Sequence, residues 1–299
     1  MQALLENIIS ECRACTKEGR VASYIPELAK ANADDFGICV TTGEGKSFAV
    51  GEHAVKFTMQ SSVKPVILLL ALQDKGLDRV LSLVGVEATG KPFDAFNYSD
   101  QALTGAHINP MINTGAIALC TLIEGESYTE KFTRLLDLTK RLAGNPNLEI
   151  DEAVYLSEKA TGNKNRALAY MLKAYGMIDE DVEELVDFYF RACSIQVDCN
   201  DLARIAQTFA SEGKGIFKPE YARYVNAVLT ICGMYDGSGE FALKVGVPAK
   251  SGVGGGIMAV VPRKMGIGIY SPALDKKGNS VAGKKALEKL SERLGLSIF

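Results

Sequence analysis

The sequence predicts an α+β fold: one antiparallel sheet built from both chain ends, flanked by helices, with an all-helical lobe inserted between. Two observations carry this. Each end of the chain holds a hairpin pattern, and the long middle shows helical periodicity without a fixed repeat. Antiparallel hairpins argue against a doubly wound parallel sheet. The chain opens on an amphipathic helix with Leu4, Leu5, Ile8, Ile9 and Cys12 on one face. A β-rich run at 36–42 then turns through Gly43-Glu44-Gly45 into a second run at 47–50. Helical periods follow at 66–73, 112–123, 128–142, 150–159, 166–175, 183–191, 202–209 and 221–231. A second hairpin, 256–261 and 265–270 around Pro262-Arg263-Lys264, precedes a charged amphipathic helix at 282–294. Residues 1–62 and 191–299 are therefore assigned to the sheet domain and 63–190 to the inserted helical one, forming one unit with a ligand cleft between them.

The 33 Lys and Arg against 36 Asp and Glu give a net charge of −3 with no basic stripe, which argues against a nucleic-acid partner. The uncharged stretch 101–123 is long enough to span a membrane, but Gln101, His107, Asn109, Pro110 and Asn113 make it costly in lipid. No membrane association is expected. The N-terminus carries Glu6 where a signal peptide would carry Lys or Arg, and seven cysteines are an odd number; a reduced, cytoplasmic protein is the expectation. Cys12-Arg-Ala-Cys15 lacks a well-spaced second pair for zinc, and two histidines leave little material for other metal sites. No metal is expected.

Ser-x-x-Lys occurs twice, at Ser61/Lys64 and Ser211/Lys214. A lysine one helical turn after a serine can take its proton if the amine is neutral. The second pair sits in a Gly-rich turn, where lysine stays charged. The first opens the apolar run Val63 to Leu72, whose hydrocarbon disfavours the ammonium. Pro65 is awkward for a helix that includes Lys64. The run Lys250-Ser251-Gly252-Val253-Gly254-Gly255-Gly256 permits close backbone approach and could supply N–H donors to an oxyanion. It leads into a strand, which disfavours a phosphate loop. Asn113 stands inside an apolar segment and needs a buried partner. For Asn109, the Ser157-to-Asn165 cluster, Tyr189 and the turn around Tyr235, an ordinary structural role is the favoured reading when each is taken alone.

Their order changes that. Gln60-Ser-Ser-Val-Lys64, Asn109-Pro-Met-Ile-Asn-Thr-Gly-Ala116, Ser157-Glu158 with Asn165, Phe188-Tyr-Phe190 with Cys193-Ser-Ile195, Met234-Tyr-Asp-Gly-Ser-Gly239 and Pro248-Ala-Lys-Ser-Gly-Val-Gly-Gly255 follow one another. Together they resemble the serine-dependent glutaminase family, an offshoot of the β-lactamase and penicillin-binding fold, over nearly the whole chain. The resemblance implies Ser61 as nucleophile, Lys64 as base, Tyr235 as proton shuttle to ammonia, and the N–H groups of Ser61 and Val253 as oxyanion donors. It places Tyr24, Ser61, Asn113, Glu158, Asn165, Tyr189, Tyr235 and Val253 around the substrate. The implied reaction is hydrolysis of L-glutamine through a glutamyl-serine, without metal or organic cofactor, in a homodimer or homotetramer. Thr114 departs from the alanine expected after Asn113. Two other readings stay open here. One is another hydrolase of the same fold acting on β-lactams, esters or peptides; the other is a non-catalytic amino acid sensor.

Overall fold

The computed structural model describes residues 1–90 and 108–299; Gln101, His107 and the rest of 91–107 lie outside the described residues. The two expected hairpins form. Strand β1 (Gly37–Thr42) pairs antiparallel with β2 (Ser47–Gly51), in register from Gly37 opposite Gly51 to Thr41 opposite Ser47. A two-residue ribbon, β3 (Phe57–Thr58) with β4 (Gln196–Val197), lies beside the site. The C-terminal part of the chain supplies β5 (Ala249–Ser251), β6 (Gly256–Val261) and β7 (Met265–Tyr270). β7 pairs with β1 from Gly37 opposite Tyr270 to Thr42 opposite Met265, so the hairpins from opposite ends fuse into one sheet, ordered β2-β1-β7-β6-β5.

Period-two alternation divides the sheet's side chains between two cores. Ile38, Val40, Ile257, Ala259, Ile267 and Ile269 face one side. There α1 (Gln2–Cys12), α10 (Ser238–Lys244) and α11 (Val281–Leu294) cover them with Leu5, Ile8, Phe241, Leu287 and Leu290. Cys39, Met258 and Val260 face the other side. Their core is continuous with the helices α2 (Lys64–Leu83), α3 (Asn113–Cys120), α4 (Tyr128–Ala143), α7 (Val182–Cys193), α8 (Cys199–Ala210) and α9 (Pro219–Cys232). α5 (Glu152–Thr161) and α6 (Asn163–Ala174) complete the helical part.

Each helical period read from the sequence falls on one of these helices. Two local details differ. The turn read at 234–239 continues into α10 from Ser238, and α2 runs past its expected end but is broken at Gly76, whose φ is 75°. The doubt at Pro65 resolves in favour of helix: Lys64 is helical at φ −55°, ψ −38°, with Pro65 in the first turn, where its missing N–H costs nothing. Among the described residues no helix is long and apolar enough to cross a membrane.

α8 lies directly on β7 because two strand positions carry no side chain. A Cβ at Gly268 would sit 2.2 Å from the Cys199 carbonyl oxygen and 2.7 Å from the Ala203 nitrogen. Gly268→Ala should therefore push helix and sheet apart and lower the unfolding free energy by about 1–3 kcal/mol or more, measurable by urea denaturation. A loss within error would mean that the layers can separate freely.

Candidate active site

A single 3₁₀ turn, Gln60–Val63, links β3 to α2 and carries Ser61. Gln60 is held at φ +47°, a left-handed value that an uncapped non-glycine residue rarely adopts. The constraint comes from the β5–β6 loop. A Cβ on Gly252 would lie 2.5 Å from the Met59 carbonyl oxygen, so the loop's glycines seat its backbone directly against the serine turn. Close approach, rather than phosphate binding, is what that glycine run serves in the fold. Val253, in the same loop, lines one cavity together with Ser61.

Ser61 and Lys64 are 6% and 0% exposed. Lys64 Nζ lies 2.9 Å from Ser61 Oγ and donates to Asn113 Oδ1 at 2.7 Å. Asn113 in turn donates to Asn165 Oδ1 at 2.9 Å, and the Tyr189 hydroxyl donates to Asn113 Oδ1 at 3.3 Å. The partner that a buried Asn113 demanded is thus the base candidate itself. Burial pushes the Lys64 amine down to about 8, against the opposing pull of Cys193 and Glu158. The other Ser-x-x-Lys pair is inert. Lys214 is exposed and donates to the Gly43 carbonyl, while Ser211 Oγ bonds to Thr208 O.

Tyr235 approaches Ser61 from the opposite side. Its phenol hydrogen-bonds with the serine side chain and donates to Ser251 O at 2.9 Å, and burial holds it well above the ordinary phenol range. It is therefore neutral, not the phenolate that would hold Lys64 charged. Lys250, also buried, is pushed well down by burial and by its repulsion with Lys64.

Glu158 from the end of α5 and Asn165 from the start of α6 reach the same cavity across the corner at Gly162, as does Tyr189 from α7. Burial pushes Glu158 up to about 8, partly offset by a 3.5 Å hydrogen bond from Gln60 Nε2 and by Lys64. The cavity holds about 1010 Å³, and Tyr24, 55% exposed, stands on its lining. All nine residues singled out from the sequence thus line this cavity or lie directly behind it. Gln60, which reaches Glu158, and Cys193, whose thiol hydrogen-bonds with Tyr189, also line the cavity and were given no role from the sequence. The strained φ of Gln60 has no sequence signal, and a buried cysteine in a helix reads as core. All seven cysteines are unpaired.

A site of this geometry can be compared with known proteins. Residues 19–299 match the family model described as Glutaminase. The chain is 50% identical to a glutaminase of Clostridium tetani over 305 aligned residues, covering all of both chains. The chain belongs to the glutaminase family. A second relative, glutaminase 2 of Clostridium perfringens, is 48% identical, again over the full length of both. Among solved structures, a probable glutaminase matches with a TM-score of 0.95 at 33% identity, covering 100% of this chain and 97% of that one. A Bacillus subtilis glutaminase joined covalently to 5-oxo-L-norleucine matches with a TM-score of 0.91 at 36% identity, covering 100% and 99%. The fold is accordingly the β-lactamase-like one that glutaminases share, as the sequence resemblance implied.

Proposed function

We propose that this glutaminase cleaves the side-chain amide of L-glutamine through an ester on Ser61. Neutral Lys64 accepts the serine proton along the 2.9 Å contact as Oγ attacks the amide carbon. The oxyanion so formed is held by the N–H groups of Ser61 and Val253. As the tetrahedral intermediate collapses, the C–N bond breaks and nitrogen takes the Tyr235 proton, which is replaced from the Lys64 ammonium. Ammonia leaves. Water then attacks the glutamyl ester, giving its proton to Lys64, and the serine oxygen takes it back as glutamate departs. Lys64 ends neutral, as it began.

Glu158 is read as the partner of the substrate's α-ammonium, and Asn113, Asn165, Tyr189 and Tyr24 as the group that receives its α-carboxylate. The observation that best supports the whole reading is a lysine wholly buried, with no salt bridge among the described residues, one hydrogen bond from a serine at a cavity. Residues 1–62 and 191–299 are read as one lobe and 63–190 as the other, with the cavity between them; a homo-oligomer in the cytoplasm completes the reading.

Ammonia release from glutamine, asparagine and glutaramic acid tests it. Glutaramic acid lacks the α-amine and leaves Glu158 unpaired. Because the empty site already favours protonated Glu158, part of that penalty is relieved. We expect kcat/KM to fall by about 10³-fold rather than the full 10⁴–10⁵ of a fixed charge. Equal values for glutamine and glutaramic acid would remove Glu158 from recognition. Faster turnover of a chromogenic β-lactam than of glutamine would favour the rival hydrolase, and no turnover of any of them the sensor.

A further inference from the structure

Two lysines are wholly buried among the described residues, and the mechanism uses only Lys64. The other, Lys250, extends from β5 toward the turn that carries Tyr235. Its Nζ donates to Gly233 O at 3.1 Å and to Ser251 O at 2.6 Å, and stands 4.2 Å from the centroid of the Tyr235 ring. Tyr235 donates its hydroxyl to the same Ser251 carbonyl. Among the described residues no carboxylate forms a salt bridge with Lys250. Among the described residues, these carbonyls and the ring are the groups that meet the buried amine directly.

The turn it touches needs holding. Tyr235 has φ +56°, a left-handed backbone that costs a bulky residue about a kcal/mol or more unless its surroundings enforce it. We propose that Lys250 is a positioning residue for Tyr235: its amine ties the Gly233 and Ser251 carbonyls together across the turn and buttresses the ring, keeping the phenol hydroxyl between Ser251 O and Ser61 Oγ. The two N–H donors required are present whether the amine is charged or neutral, so the tie survives the strong depression of its basicity. This rests on the reading of Tyr235 as the acid that protonates departing ammonia.

A leaving-group comparison tests it. Glutamine needs its nitrogen protonated before the C–N bond breaks. The γ-methyl ester of L-glutamate loses methanol with far less demand for an acid. Lys250→Met keeps the bulk and removes both donors. It is expected to lower kcat on glutamine about 10²-fold or more, with KM changed less than about threefold. The ester should lose less than about tenfold. Tyr235→Phe should show the same split, and the double variant should be no slower on glutamine than Tyr235→Phe alone, since both changes remove one function. Equal losses on amide and ester, or losses that multiply in the double variant, would overturn the proposal. A Tyr235→Phe variant without the split would overturn the assignment of Tyr235 and the proposal with it. If Lys250→Met proves too unstable to assay, Lys250→Gln, which retains an N–H donor group in similar space, is held to the same comparison, with a smaller split expected and equal losses again decisive against it.

Discussion

Ser61→Ala is expected to lower ammonia release from glutamine by about five to six orders of magnitude, the loss that follows removal of a nucleophile. Binding should survive. The groups read as holding the amino acid, Glu158, Asn113, Asn165 and Tyr189, stand on α5, α3, α6 and α7, and Asn113 keeps its bonds to Asn165 and Tyr189 without the serine. Calorimetric titration of Ser61→Ala with glutamine should give a Kd within about tenfold of the wild-type KM. Alanine also removes little volume, and the 3₁₀ turn is set by packing against Gly252 rather than by the serine hydroxyl. A variant that turned over at near-normal rate would end the ester mechanism. One that neither bound nor turned over would show that Ser61 shapes the pocket as well.

Lys64→Arg should lower kcat by about 10³–10⁴-fold despite keeping a cation, because guanidinium does not release its proton at working pH. Lys64→Met separates chemistry from folding. It removes an amine that is 0% exposed and that forms no salt bridge among the described residues, so it should melt at or above the wild-type temperature while remaining inactive. The wild-type pH profile carries the same argument. The free enzyme must have Lys64 neutral and Glu158 charged, and burial places both near 8. Below that pH, Lys64 is protonated and Glu158 is neutral, both wrong for catalysis. log(kcat/KM) should thus rise with pH through about 8 with a slope steeper than one. In the substrate complex the α-ammonium holds Glu158 ionised, so log kcat should rise with unit slope from Lys64 alone. Tyr235 lies too high to titrate in this range, which leaves any alkaline fall to the substrate's own amine. An acid limb that stayed unchanged in Lys64→Arg, or activity retained there at a substantial fraction of wild type, would make Lys64 a fixed charge and move the search for the base to Tyr235.

Much of the architecture was legible because short-range patterns report it. The alternation in 36–50 and 256–270 marks half-buried strands, and the helical periods mark faces that pack on a core; both survive into the fold with shifts of a few residues at their ends. Ser61 with Lys64 could be read as a pair for the same reason, since three residues along a helical turn always face one another. β5 was harder. Three residues are too few to show a period, and the glycines after them look like a flexible loop until Gly252 is seen against Met59.

Sequence alone thus determined the element types, the two hairpins, the Ser61/Lys64 pair and, through an ordered set of motifs, the family. Tertiary structure decided what depends on distance between remote segments. It joined β1 to β7, brought Asn113 onto Lys64 from 49 residues away, set Glu158 under Gln60, and laid Lys250 against Tyr235. It also decided charge. A lysine in an apolar run can be suspected of low basicity, but whether it is buried, and whether another cation or a carboxylate faces it, follows only from how the layers close. The physical reason is one of range: periodicity and turn chemistry act over a few residues, whereas desolvation and hydrogen-bond partnership are properties of packed neighbours, whatever their separation along the chain.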